Sequence, residues 1–210
     1  MASDISVYVV AGICGNWWIE SGINSGVGEN LQPAQWTDLR VGFGLGQWTN
    51  TGGDTHGRLW KLHDWLSRNG YPDDSFNGQL EYVEYEDVWY RQAEAYQYTD
   101  LQDFLHSTST DVVALTHAWN MGWEGIHDAS WDSRAQHGLA VCQYIQENYD
   151  PEATYEPFIS NTYLSEAQRF NNAMYMYHVW NGGTPSPDPP FHNKKSKLWL
   201  FTPPPFPLFH

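Results

Sequence analysis

Positive charge is what this chain most lacks. Against 25 aspartates and glutamates it has 10 lysines and arginines, a formal net charge of −15. Tracking phosphates takes clustered Lys and Arg, so the shortage argues against nucleic acid as a partner. Long-range attraction would not bring such a chain to a polyanionic surface either, and delivery by a larger particle fits better than free diffusion. No basic residue precedes Arg40, so the apolar N-terminal run lacks the positive region of a secretory signal. No later stretch approaches the length of a membrane-spanning helix. The expectation is a protein made in the cytoplasm without a signal peptide and kept there until something else exports it. Cysteine is scarce too: Cys14 and Cys142 lie on predicted helical faces and in no metal-binding spacing. We read both as reduced core residues, with a disulfide between them left open. His63 and His127 each precede an aspartate, but no three or four of the nine histidines have ligand spacing. Neither a metal nor any other cofactor is expected.

Aromatic residues are in excess, 12 Trp and 13 Tyr in 210 residues, more than a core of this size needs. Amphipathic rings suit a surface that meets carbohydrate or a protein partner. With 41% hydrophobic and 17% charged residues the chain is globular. Its character changes after Pro151 and again after Gly182, so we divide it into residues 1–150, a helical extension 151–182, and a proline- and aromatic-rich arm 183–210. The arm cannot form a helix or a central strand and is expected to dock, extended, on a neighbour. Few apolar residues in it argue against a membrane anchor.

The periodicity predicts a first helix ending near Glu20, with Val7, Val10, Ala11, Cys14 and Trp18 on one face and Asp4 or Ser6 as its cap. Further helices are expected over residues 55–69, 78–96, 101–106, 110–122, 128–149 and 164–180. The helix over 78–96 would carry Val88, Trp89 and Ala93 on its apolar stripe, and the helix over 128–149 would turn Trp131 and Leu139 inward. The acids Glu81, Glu84, Glu86 and Asp87 read as solvated surface.

Two stretches carry candidate chemistry. Glu20 stands at a helix C-terminus beside Trp17, Trp18 and Ile19, where the negative end of the dipole and apolar burial both disfavour a carboxylate. A glutamic acid that keeps its proton near neutral pH is what protonation of a leaving sugar oxygen requires; the plainer reading is a solvated glutamate. Residues 42–49, GFGLGQWT, place glycine at alternate positions, leaving one face open to a ligand or to another backbone. Gln47 and Trp48 then offer an amide and a flat ring, a pairing that suits a sugar. A glycine-rich hairpin with a core tryptophan fits the same residues.

Taken together, Glu20-Ser21, Ile23-Asn24 and Gly44-Leu45-Gly46-Gln47 resemble the goose-type lysozymes and soluble lytic transglycosylases, in which a catalytic E-S precedes G-L-x-Q. Ala118-Trp119-Asn120-Met121-Gly122 resembles their third motif, with Trp for Tyr. The I-C-G-N run and G-F-G-L-x-Q-W-T are similar to the phage tail lysozymes, over roughly the first 150 residues. The resemblance implies a mainly α (α+β), lysozyme-like fold with a small glycine-rich β-hairpin. It implies a virion-associated peptidoglycan hydrolase that cleaves the link between N-acetylmuramic acid and N-acetylglucosamine. Glu20 would be the general acid, with Asp38 or Glu29 guiding a water. Ser21, Gly44, Gln47, Trp48, Thr49, Trp119 and Asn120 would bind substrate, and residues 183–210 would meet other tail proteins. The chain begins almost at the catalytic helix, so either the domain is trimmed or another segment covers that face. The rival is a structural or wall-binding tail component without turnover, which has no chemical reason to keep Glu20 acidic.

Overall fold

A computed structural model describes residues 5–31, 41–50 and 56–187. Its organising element is helix α1 (Val7–Glu20), started by Ser6, whose hydroxyl accepts from the Val9 amide at 3.3 Å. The single apolar face expected of it is an understatement. Every residue from Val9 to Trp18 is buried, because helices α5 (Val112–Trp119), α6 (Trp131–Asn148) and α7 (Glu166–Trp180) all pack on it. A helix apolar all round belongs inside a core. Its glycines set the spacing: a Cβ on Gly15 would stand 2.5 Å from the Arg134 carbonyl oxygen and 2.9 Å from the Gly138 nitrogen, so α1 and α6 touch backbone to backbone there.

Helices α2 (Arg58–Arg68) and α3 (Phe76–Glu86) pack together beside this centre. Leu59, Leu62 and Leu66 are buried, as the spacing predicts. The stripe read through to Tyr96 is not one helix, however. α3 stops at Glu86, Asp87 takes a left-handed conformation (φ 45°), and the chain proceeds without helix to a 3-10 turn at Ala93–Gln97. Trp89 still turns inward, stacking on Phe104 at 4.9 Å. Burial was legible in the spacing, and the backbone that delivers it was not.

Short helix α4 (Leu101–Leu105) is capped by Asp100, and α5 by Asp111. α5 runs straight into a π turn, Asn120–Glu124, closed by Gly125 at φ 76°. In α6 the inward residues include Arg134, Gly138, Val141, Cys142 and Ile145, while Leu139 is exposed. α7 begins with a capping box formed by Ser165 and Gln168. Its Phe170, Ala173, Met174, Tyr175 and Met176 belong to the same core as α1, so α7 covers a face of the first helix.

The hairpin at residues 42–49 is a single pair, with Phe43 and Trp48 exchanging hydrogen bonds of 3.1 and 3.0 Å and Gly28 bridging to Phe43. Among the described residues the other regular elements are helices, which is the mainly α architecture expected. Cys14 and Cys142 are free thiols; burial pushes the Cys14 thiol up, and its Sγ lies 3.8 Å from Met176 Sδ. Of the arm, residues 183–187 are described. The Ser186 carbonyl accepts from Asn77 Nδ2 at 2.9 Å and from the Tyr175 hydroxyl at 3.2 Å. The rest of the arm lies outside the described residues, among which no helix is long and apolar enough to cross a membrane.

Candidate active site

Glu20, the last residue of α1, keeps its side chain 23% exposed. The apolar surroundings expected of it are not what it meets. Ile19 is exposed, Trp17 turns into the core, and the Glu20 carboxylate accepts from Arg134 Nη2 at 2.5 Å. Arg134, in the first turn of α6, is 2% exposed and fully engaged. Its Nε donates to Ser130 Oγ at 2.7 Å, Nη1 to Glu124 Oε2 at 3.2 Å and to Asn16 at 3.3 and 3.4 Å, and Nη2 also to Asp128 Oδ2 at 2.8 Å.

One guanidinium thus faces three carboxylates. A planar fork of donors holds several acceptors in fixed geometry, which an ammonium cannot do. Its single charge does not neutralise all three acids, and the ionised form is least favoured where solvation is poorest. That place is Glu124, 6% exposed. Burial, then the nearby negative charge of Glu20, push Glu124 up to about 8 against the pull of Arg134 and Arg58. Asp128 is more open, 35% exposed. Slight burial pushes it up, but hydrogen bonds from Ser130 and Arg134 outweigh that and hold it below the usual carboxylate range.

Beneath this cluster lies a tryptophan layer. Trp119 and Trp123 stack at 5.0 Å, with Trp17 edge-on to both at 5.9 and 6.2 Å and Trp48 edge-on to Trp123 at 5.5 Å. Arg58 lies over the Trp123 ring at 4.2 Å while bonding Glu86 at 2.7 and 2.8 Å. Glu86 also takes the Trp48 indole N–H at 3.1 Å and is 6% exposed, so it is an interior acid and not the solvated one expected.

The residues expected to bind sugar are mostly buried or bonded within the protein. Trp48 and Trp119 are 1% and 0% exposed and offer no free ring face. Ser21 donates to the carbonyls of Leu45 (2.8 Å) and Trp17 (3.2 Å), tying the hairpin to α1. Gly44, at φ 77°, sits against the Gln79 side chain, and Gly46 lies where any Cβ would run into the Trp123 ring. The open glycine face is filled by this protein's own side chains. Gln47 donates to the carbonyls of Gly44 (2.9 Å) and Val27 (3.2 Å), and Thr49 lends its carbonyl to Leu59 at 3.4 Å. Asn120 is fully buried and donates to Glu124 Oε2 at 3.3 Å. Exposed Glu29 accepts from the Gly42 amide at 3.1 Å, and no bond links it to the Arg134 cluster. Asp38 lies outside the described residues.

Sequence reasoning missed Arg134 and Glu124 and met Asp128 only as the neighbour of His127. A signal for Arg134 existed: it shares an inward stripe with Gly138, Val141 and Ile145, and a cation in such a stripe needs buried anions. Glu124 had none, because a π turn obeys no 3.6-residue period. The loop after Glu20 is held from the far end of the chain. Asn24 Nδ2 donates to the carbonyls of Ser160 (2.9 Å) and Thr162 (3.0 Å), and Asn172 Nδ2 to those of Ile23 (2.7 Å) and Phe158 (2.9 Å). Comparison with known families matches residues 1–146 to the family model described as phage tail lysozyme. No curated protein matches the chain.

Proposed function

The chain belongs to the phage tail lysozyme family, a family of glycosidases, and from that premise we propose that it cuts the glycan strands of peptidoglycan between N-acetylmuramic acid and N-acetylglucosamine, with Glu20 as the general acid. The observation that carries this reading is the position of Glu20. It is the residue of the E-S motif that remains open to a ligand, while Ser21 and the G-L-G-Q segment behind it are packed as support.

In this reading a protonated Glu20 gives its proton to the glycosidic oxygen as the bond breaks, which removes the need to expel an alkoxide. Donation leaves a carboxylate, and Arg134 stands in bonding contact with it before the reaction starts. A charge that develops beside a fixed cation costs no reorganisation at the moment of reaction. The sugar cation is then captured by water, giving a muramidase, or by the muramic acid 6-hydroxyl, giving a lytic transglycosylase. Asp128, held anionic and about a third exposed, is placed to act on the second half of the reaction. Asp128 and Glu20 share Arg134 Nη2, at 2.8 and 2.5 Å.

We place the activity on the phage tail, where a protein with net charge −15 is carried to the wall and need not be drawn there. Residues 183–210 are the proposed attachment to neighbouring tail proteins, and glycan strands are the substrate. Zymography on purified wall tests the central claim. Glu20→Gln should lower cleavage by roughly 10²–10⁴-fold with the fold intact, and a variant that keeps more than about a tenth of the wild-type rate would remove Glu20 from the role. The mass of the released muropeptides, hydrated or anhydro, separates the two outcomes of the second step.

A further inference from the structure

The acid of a glycosidase must still hold its proton at the pH where the enzyme works, and Glu20 lies against a guanidinium. What offsets that contact is the third member of the cluster. We propose that Glu124 is a positioning residue that shares one proton with Glu20 across Arg134, so that the pair, and not Glu20 alone, retains the proton Glu20 donates.

The geometry supports this in three ways. Glu124 and Glu20 bond to opposite nitrogens of one guanidinium, Nη1 and Nη2, at 3.2 and 2.5 Å. Neither can gain or lose a charge without changing the other's share of Arg134. Next, Glu124 Oε2 takes Arg134 and Asn120, whereas Oε1 is buried and has no partner among the described residues. An ionised carboxylate with one bare oxygen is costly in that position, and a proton on Oε1 relieves the cost. Lastly, the charges around Glu124 do not supply a second counter-ion. Facing it are Glu20 from α1, Asp128 from the segment before α6, Arg134 from α6 and Arg58 from α2, and Arg58 is already committed to Glu86 of α3 by two bonds.

The exchange balances with solvent as the proton carrier: an O–H bond breaks on Glu124 and one forms on Glu20. The Glu124 carboxyl and the Glu20 carboxylate become the Glu124 carboxylate and the Glu20 carboxyl, and the second arrangement is the one that acts on the glycosidic oxygen. Two acids coupled in this way lose their protons in steps that belong to the pair. The π turn is what makes this possible, since it brings both Asn120 and Glu124 to the buried side. The inference rests on Glu20 being the acid.

The test is the pH dependence of wall cleavage by wild type, Glu124→Gln and Glu20→Gln, read by clearing of purified peptidoglycan. Glutamine cannot store a proton, so the high-pH limb of Glu124→Gln should fall about one unit or more below wild type. That is about a tenfold difference in rate at a fixed pH on that limb. Glu124→Asp, which keeps a carboxyl, should lie between the two. A Glu124→Gln limb that coincides with wild type overturns the inference, and so does a rate lowered equally at every pH, which is what a purely structural residue would give. Activity surviving in Glu20→Gln would instead sink the assignment of the acid, a separate result. If Glu124→Gln does not fold, carboxyl carbon NMR of the wild type decides: Glu124 and Glu20 signals moving together with pH support sharing, and a Glu124 that titrates alone refutes it.

Discussion

Residues 42–49 and the cluster around Arg134 both press on the end of α1, yet they are opposites. The hairpin looks from its composition like a ligand surface, with glycines, an amide and a tryptophan in a row. In the fold it is a packed wedge, its glycine faces filled by Gln79 and Trp123, its amide turned onto its own backbone and its tryptophan 1% exposed. The Arg134 cluster has no motif, draws on α1, the π turn, the following segment and α6, and holds the charges. A short motif mixes residues that touch a ligand with residues that hold them in place, and spacing alone cannot separate the two.

The sharpest way to break this contrast is Trp48→Ala. If the hairpin is a wedge, removing a fully buried indole costs roughly 3–5 kcal/mol of stability, with the activity of each remaining folded molecule little changed. Urea unfolding together with specific activity at low temperature reads both quantities. A variant of wild-type stability with greatly weakened substrate binding would return the hairpin to the ligand surface.

The cluster should announce itself through pH. Glu124 is raised to about 8 in the folded protein from an ordinary value of 4.5, so between those values the folded state holds a proton that the unfolded state has lost. Its contribution to stability is therefore greatest below about 4.5 and is lost as pH rises towards 8. His117 and His137, lowered by burial, act in the opposite direction around their ordinary value of 6.5. Asp128, held low, contributes stability that fades only as pH falls below about 4. The difference between wild type and Glu124→Gln cancels the groups outside the cluster: from pH 5 to pH 8 the unfolding free energy of the wild type should drop relative to that of the variant. Parallel curves would show that Glu124 ionises normally.

A smaller effect is expected at the link between the Glu20 loop and α7. Asn172→Ala would leave the Ile23 and Phe158 carbonyls without their donor, at a cost of about 1–3 kcal/mol, and should lower wall cleavage as well as the melting temperature. Stability lost with cleavage per folded molecule unchanged would make α7 a bystander to the site.

Much was legible in the residue pattern. The buried stripe of α2, Ser6 as one of the two caps offered for α1, the end of α1 at Glu20 and the mainly helical class all follow from periodicity and local hydrogen-bonding chemistry. Two of the failures have one cause. Between residues 87 and 97 and again at Asn120–Glu124 the backbone leaves the α period while side chains stay buried, and a method that infers geometry from a period has nothing to read there.

What the sequence by itself determined, then, is most of the helices and the place of Glu20: a helix ending in Glu20-Ser21, a tight glycine turn after it, and enough apolar periodicity to bury both. Only the tertiary structure decided what surrounds that acid. Arg134 stands 114 residues from Glu20 along the chain and reaches it at 2.5 Å, and Glu124 faces inward because a π turn rotates it there. Such a cluster is held by Coulomb attraction and desolvation across the fold, which act on distance in space and leave no period in the chain.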